Sequence, residues 1–272
     1  MAGSECGDSD TAPVAPGRPH AVAVAGRNDG SAIVMSRRAL EDPEVQKEQE
    51  MGQDEQDQEG QEQNAVNMSV SELKDLITTL AGDEEQLLTV IEKAWKLADR
   101  NEYGQRAVLS QGVVSATISV MREHEKNPGI QGHGLTLLCH AAMLDSSEDS
   151  LCRMGIVDLA IDSMRAHPDD PGVQWNALGL LQNLAQTKSI SAKVAHDSLD
   201  VALGVLKTHQ GHPTVTLAGL GLLSNLVEDS PVRAQVVRDL GGREVAERAL
   251  HHFDKVHHEA VINGANALIA AL

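Results

Sequence analysis

Val173-Gln174-Trp175-Asn176-Ala177-Leu178-Gly179-Leu180-Leu181-Gln182-Asn183-Leu184-Ala185 decides the fold, because the chain writes this stretch more than once. An earlier copy reads Ile130-Gln131-Gly132-His133-Gly134-Leu135-Thr136-Leu137-Leu138-Cys139-His140-Ala141-Ala142. A later copy reads Val215-Thr216-Leu217-Ala218-Gly219-Leu220-Gly221-Leu222-Leu223-Ser224-Asn225-Leu226-Val227, and a weaker one, Ala265-Asn266-Ala267-Leu268-Ile269, lies near the end. The matched positions Ala142, Ala185, Val227 and Ile269 recur at a period of about 42 residues, which belongs to stacked helical units. One such unit cannot bury its own apolar face; its neighbours do so, and a continuous core runs along the stack. The pattern points to an extended surface rather than to one closed globule.

Composition agrees. Of 272 residues only Trp95, Tyr103, Trp175 and Phe253 are aromatic, so the core must be built from Leu, Val, Ile, Ala and Met. Those residues suit close-packed helices, whereas strands favour aromatic and β-branched types. The net charge of −18 is unevenly placed: residues 1–67 carry 14 acids and 5 bases, residues 68–272 carry 26 and 17. An acidic chain repels nucleic-acid phosphates and anionic lipid, so basic proteins or peptides are the favoured partners, with no nucleic acid. Three cysteines, Cys6, Cys139 and Cys152, are too few and odd in number for a disulfide framework. They predict free thiols in a reducing compartment. No stretch approaches the ~20 apolar residues of a membrane span. The start lacks a basic region followed by a long apolar one, so a cytoplasmic location, extending to the nucleus, is expected.

Residues 1–40 show no sustained period, and residues 41–63 are dominated by Glu, Gln and Asp. Such a segment cannot bury enough apolar surface to offset the entropy of ordering, so 1–67 is expected to be a disordered acidic tail. Order is expected from Met68, where Ser69-Val70-Ser71-Glu72 has the form of a helix start. Residues 68–99 are expected to cap the stack. From about residue 100 each unit has three parts. A short helix comes first: Glu102 to Leu109, Ser147 to Met154, Ser189 to Ala195, Pro231 to Leu240. A middle helix begins near Gly112, Gly155 or Gly241, with His196-Asp197-Ser198 at that place in the third unit. The long repeated helix follows a polar turn. Middle helices end on an echo, Met121-Arg122-Glu123-His124, Met164-Arg165-Ala166-His167, Leu206-Lys207-Thr208-His209 and Leu250-His251-His252-Phe253. Basic groups there interact favourably with the helix dipole and can reach orphan carbonyls.

A short helix, a glycine, a middle helix and a long helix ending in Leu181-Gln182-Asn183-Leu184-Ala185 or Leu223-Ser224-Asn225-Leu226-Val227 resemble the armadillo repeat. The resemblance covers four units, 100–142, 143–186, 187–228 and 229–272. It implies an all-α, right-handed solenoid whose long third helices line a concave groove, and a non-enzymatic scaffold that holds a partner segment there. In peptide-carrying members a Trp and an Asn four residues later recur on that helix. The Asn position here reads Lys96, His140, Asn183, Asn225 and Ala267; the Trp position reads Glu92, Thr136, Gly179, Gly221 and Asn263. Part of the Asn row survives and the Trp row is absent. That speaks against the alternative, a nuclear-transport adaptor-like carrier of a basic peptide.

Trp175 falls on the face of Gly179 and Asn183, since i, i+4 and i+8 nearly align on a helix. The expected centre of the binding face is therefore Trp175, Asn176, Asn183 and Asn225, flanked by Lys96, Thr136, His140 and Asn263. The competing expectation is that Trp175 packs within the stack and the asparagines bond local backbone. His251, His252, His257 and His258 form a dense cluster, but adjacent histidines on a helix point apart, so surface histidines are expected rather than a metal site. No phosphate-binding glycine loop, nucleophile elbow or HExxH sequence occurs, and neither catalytic residues nor cofactors are expected. The final Ala265 to Leu272 is apolar where a terminal cap should be polar, which predicts either further repeats or end-to-end self-association.

Overall fold

The structure is a computed structural model that describes residues 21–25, 32–36, 70–144, 147–228 and 230–272. Helices α1 (Val70–Thr79) and α2 (Glu84–Arg100) open the helical part. The first unit follows as α3 (Glu102–Ser110), α4 (Val113–Glu123) and α5 (Pro128–Ala142). The second is α6 (Glu148–Arg153), α7 (Ile156–Ala166) and α8 (Pro171–Ala185). The third has two helices, α9 (Lys188–Thr208) and α10 (Pro213–Val227). The fourth is α11 (Pro231–Asp239), α12 (Gly242–His252) and α13 (Glu259–Ala271).

The long helices α2, α5, α8, α10 and α13 pack side by side in chain order. Behind them α1, α4, α7, α9 and α12 make a parallel layer, each touching the next. One continuous Leu/Val/Ala/Ile core lies between the layers. On α13 Leu268 is buried and Ile269 partly so, and Leu272 just after it is also partly buried, packed against that core.

Local chemistry sets the helix ends. Asp83, Asn127, Asp170 and Ser230 each accept a backbone N–H of the helix they precede. Pro128, Pro171, Pro213 and Pro231 then occupy the first helical position, where a missing N–H costs nothing. Gly112, Gly155 and Gly241 have φ of 79°, 77° and 88°, the left-handed region that lets the chain turn between short and middle helix. The third unit departs from the expected pattern. Residues there carry a Cβ, the left-handed turn is disfavoured, and the expected short helix Ser189 to Ala195 instead runs straight on as the 21-residue α9.

Small residues allow close approach. A Cβ on Gly219 would lie 2.6 Å from Leu206 Cδ2, and one on Gly221 would lie 2.5 Å from Gln182 Nε2. Strands β1 (Ala21–Ala25) and β2 (Ala32–Ser36) pair antiparallel, with Ala21 opposite Ser36 and Ala25 opposite Ala32. Alternating Val22 and Val24, with Ile33-Val34, supply the β-branched residues that favour extended backbone. The disorder expected for the rest of 1–67 lies outside the described residues.

Candidate binding face

The echo at the end of each middle helix joins neighbouring units. His124 Nε2 lies 2.7 Å from the Ala81 carbonyl, His167 Nε2 2.8 Å from that of Glu125, and His209 Nε2 2.7 Å from that of Pro168. A carbonyl only accepts, so each Nε2 carries the proton and donates backwards to the preceding turn. The basic residue of the echo reaches forwards. Arg122 donates to the Met154 carbonyl at 3.0 Å, and Lys207 to the Leu240 carbonyl at 3.1 Å, at the short-helix ends beside Gly155 and Gly241. These groups satisfy carbonyls of adjoining units rather than the ends of their own helices.

A second device passed unnoticed in the sequence, although both residues sit in the repeated stretch. Buried Gln131 donates through Nε2 to the Met121 and His124 carbonyls, and Gln174 does the same to Met164 and His167. Each amide caps the end of a middle helix from the long helix that follows. Ser163 then donates to Gln131 Oε1 at 2.6 Å and ties in the next unit.

The residues expected to form the binding face fall into two sets. Asn176, Asn183 and Asn225 donate their side-chain amides to the carbonyls of Gly132, Cys139 and Gln182, at 3.5, 3.4 and 3.0 Å. Each acceptor lies on the preceding long helix, so the surviving Asn row is a ladder between helices. Cys139, its thiol pushed up to about 12 by burial, bonds the Asn176 carbonyl. Trp175 is 5% exposed and belongs to the packed stack, so it offers no open shelf. Thr136 is buried and bonds the Gly132 carbonyl of its own helix. Of the expected residues, Lys96 and Asn263 are exposed and Asn225 is half-buried. Gln182, Leu217, Gly221 and Ser224 are also part-exposed on α8 and α10.

The N-terminal end of this face holds an aromatic assembly centred on Trp95, which composition alone did not single out. Its indole lies near-parallel to the rings of His133 and His140, with ring centroids 6.4 and 6.2 Å away and interplanar angles of 12° and 7°. Trp95 Nε1 donates to His133 Nδ1 at 3.1 Å. Lys96 Nζ lies over the indole, 5.7 Å from its centroid, and 2.6 Å from Glu92 Oε1. That ammonium holds the Glu92 carboxyl below its usual pKa. Burial pushes the His133 and His140 rings below theirs. His140 is 1% exposed, and neither ring nitrogen has a hydrogen-bond partner; Asp99 Oδ1 is 3.8 Å from Nδ1. The signal that could have found the site is an aromatic beside the Asn-row position on the first long helix.

Elsewhere, an open cleft of about 500 Å³ is lined by Glu84, Glu123, Glu125, Lys126 and the bonded His124 and Asn127, at the turns rather than on the long helices. His257 and His258 both approach Asp254, at 2.9 and 3.3 Å, and His252 sits edge-on to Phe253. Among the described residues no group of three His, Cys, Asp or Glu could hold a metal ion. Nor is any described helix long and apolar enough to cross a membrane.

The family model described as the LRRK2 ARM repeat matches residues 98–220. No curated protein matches the chain. Among solved structures, an engineered protein is similar at a TM-score of 0.63 and 18% identity, over 74% of this chain and 47% of its own. The chain thus spans about half the length of that protein. A designed armadillo repeat protein in complex with peptide (KR)4 is similar at 0.61 and 14% identity, over 86% of this chain and 96% of its own. A further designed armadillo repeat protein gives 0.53 and 11%, over 75% and 100%. At these identities the likeness is one of fold.

Proposed function

We propose, from the premise that the chain belongs to the armadillo repeat family, that it is a non-enzymatic scaffold holding a partner segment along its long-helix face. The observation that carries the reading is the unbroken file of five long helices, α2, α5, α8, α10 and α13. Exposed or part-exposed residues lie on four of them: Lys96 on α2, Gln182 on α8, Ser224 and Asn225 on α10, and Asn263 on α13. A designed protein of the same fold is described in complex with peptide (KR)4, and the acidic charge of this chain favours a basic partner likewise. Because the asparagine amides are spent on neighbouring carbonyls, recognition on this face falls to the exposed side chains instead.

The test is fluorescence anisotropy of labelled (KR)4 against the full chain. Saturable binding that weakens with salt is expected. Gln182→Lys with Asn263→Lys, two added charges on the file, should weaken it at least about tenfold while circular dichroism stays helical. Binding unaffected by the pair would move the site off the long helices.

A further inference from the structure

We propose that Lys96 is an internal occupant of a cation site on the Trp95 indole, and that an arginine side chain of the partner binds by displacing it. The proposal rests on the reading of the long-helix face as the binding surface, and assigns Lys96 the part of competitor rather than contact.

The indole is held before any partner arrives. Two imidazoles flank it with their rings near-parallel to its own, and its N–H is committed to His133 Nδ1 at 3.1 Å. Burial, which disfavours protonation of His133, keeps that nitrogen able to accept. Trp95 is 7% exposed, with an ammonium lying over its ring. That ammonium is weakly held. Its side chain is 58% exposed and that of Glu92 40%, and a solvent-exposed pair of this kind, one helical turn apart, contributes little. Exchange for another cation therefore meets small resistance.

The chemistry of the place selects the replacement. A guanidinium stacks on an aromatic face and meets a carboxylate through two parallel N–H bonds, neither of which an ammonium can do. Glu92 stands at one side of the indole, bonded to the present cation. Asp99, also part-exposed, stands beside His140, the second of the two imidazoles. Two carboxylates, Glu92 and Asp99, make this end of the face favourable to a guanidinium in place of the ammonium.

Anisotropy titration of (KR)4 onto wild type, Lys96→Ala, Lys96→Met, Glu92→Gln and Lys126→Ala tests this. Lys96→Ala should bind roughly fivefold more tightly than wild type, the gain expected when a cation–π competitor is removed. Lys96→Met, whose uncharged stem still covers the ring, should gain less, and Glu92→Gln should bind more weakly than wild type. Lys126→Ala removes an exposed charge from a turn and should change affinity much less than Lys96→Ala. Equal gains for Lys96→Ala and Lys126→Ala would reduce the effect to net charge and overturn the proposal. So would unchanged or weaker binding by Lys96→Ala, while wild-type binding that still responds to Gln182→Lys and Asn263→Lys would leave the binding face standing. Absence of saturable binding by every form would overturn the face and the cation site together.

Discussion

His140 shows how far a residue's role can depart from its place in a repeat. The sequence puts it at the position that Asn183 and Asn225 hold on the later long helices, and the structure buries it beside Trp95, the two rings near-parallel, with neither ring nitrogen hydrogen-bonded. Its pKa is lowered chiefly by burial, against the opposing pull of Asp99. The sign follows. As pH falls below the unfolded value of about 6.5, the unfolded chain takes up the proton first, so the stability present above that pH is lost on the acid side. His140→Phe keeps a ring on Trp95 without a titrating group or orphan nitrogens. Thermal melts from pH 7.5 to 5 should show a higher Tm for the variant and a flatter acid limb. A parallel fall in both proteins would remove His140 from the account. The asparagines were legible as a row, but not their use. Whether an amide faces a ligand or the next helix depends on which carbonyls the stacked long helices bring within its reach.

Helices were legible where a local rule fixes them. Proline after a polar cap and glycine at positive φ marked the starts of α4, α5, α7, α8 and α12 within a residue or so. The one place without the glycine was visible, but its outcome, the unbroken α9, was not. A missing turn signal says only that the turn is costly, and leaves open how the chain goes on. The third unit differs in a further respect. Thr216 stands where Gln131 and Gln174 stand in the units before it; its buried hydroxyl has no partner. Beside it a space of about 10 Å³ is lined by Leu206, Lys207, Gln210, Val245 and Arg248. Thr216→Gln should fill that space and cap the end of α9 as its counterparts cap α4 and α7. A gain of about 1 kcal/mol is expected from one new buried amide bond, read as a shift in urea midpoint. A loss of stability would mean that the space is too tight for the longer side chain.

Across the whole molecule, period and composition sufficed for the solenoid, because a recurring apolar helix can be buried only by stacking. The joints between units were not legible, since each connects residues 32 to 43 apart through atoms whose partners only the stack brings near. Stability of such an array is approximately a sum over units and their shared boundaries. His167→Ala removes one backward bond, at the middle of the stack. A loss of about 1 kcal/mol is expected, with hydrogen exchange quickening on both sides of residues 125–167 more than at either end. Exchange that quickens in the second unit alone would show that the bond does not couple its neighbours.

The straight α9 bears on how freely such units can be interchanged. Arg122 and Lys207 close onto a short-helix end that exists only where a glycine interrupts the chain, and Arg165, facing α9, meets no such end and lies near Asp162 at 3.7 Å. The second and fourth units therefore receive this bond, from the first and third, while the third receives none from the second. Placing the third unit directly after the first would mate Arg122 with a helix that has nothing to receive it. The array is thus modular in outline but keyed at one position, and the key fixes which unit can follow which.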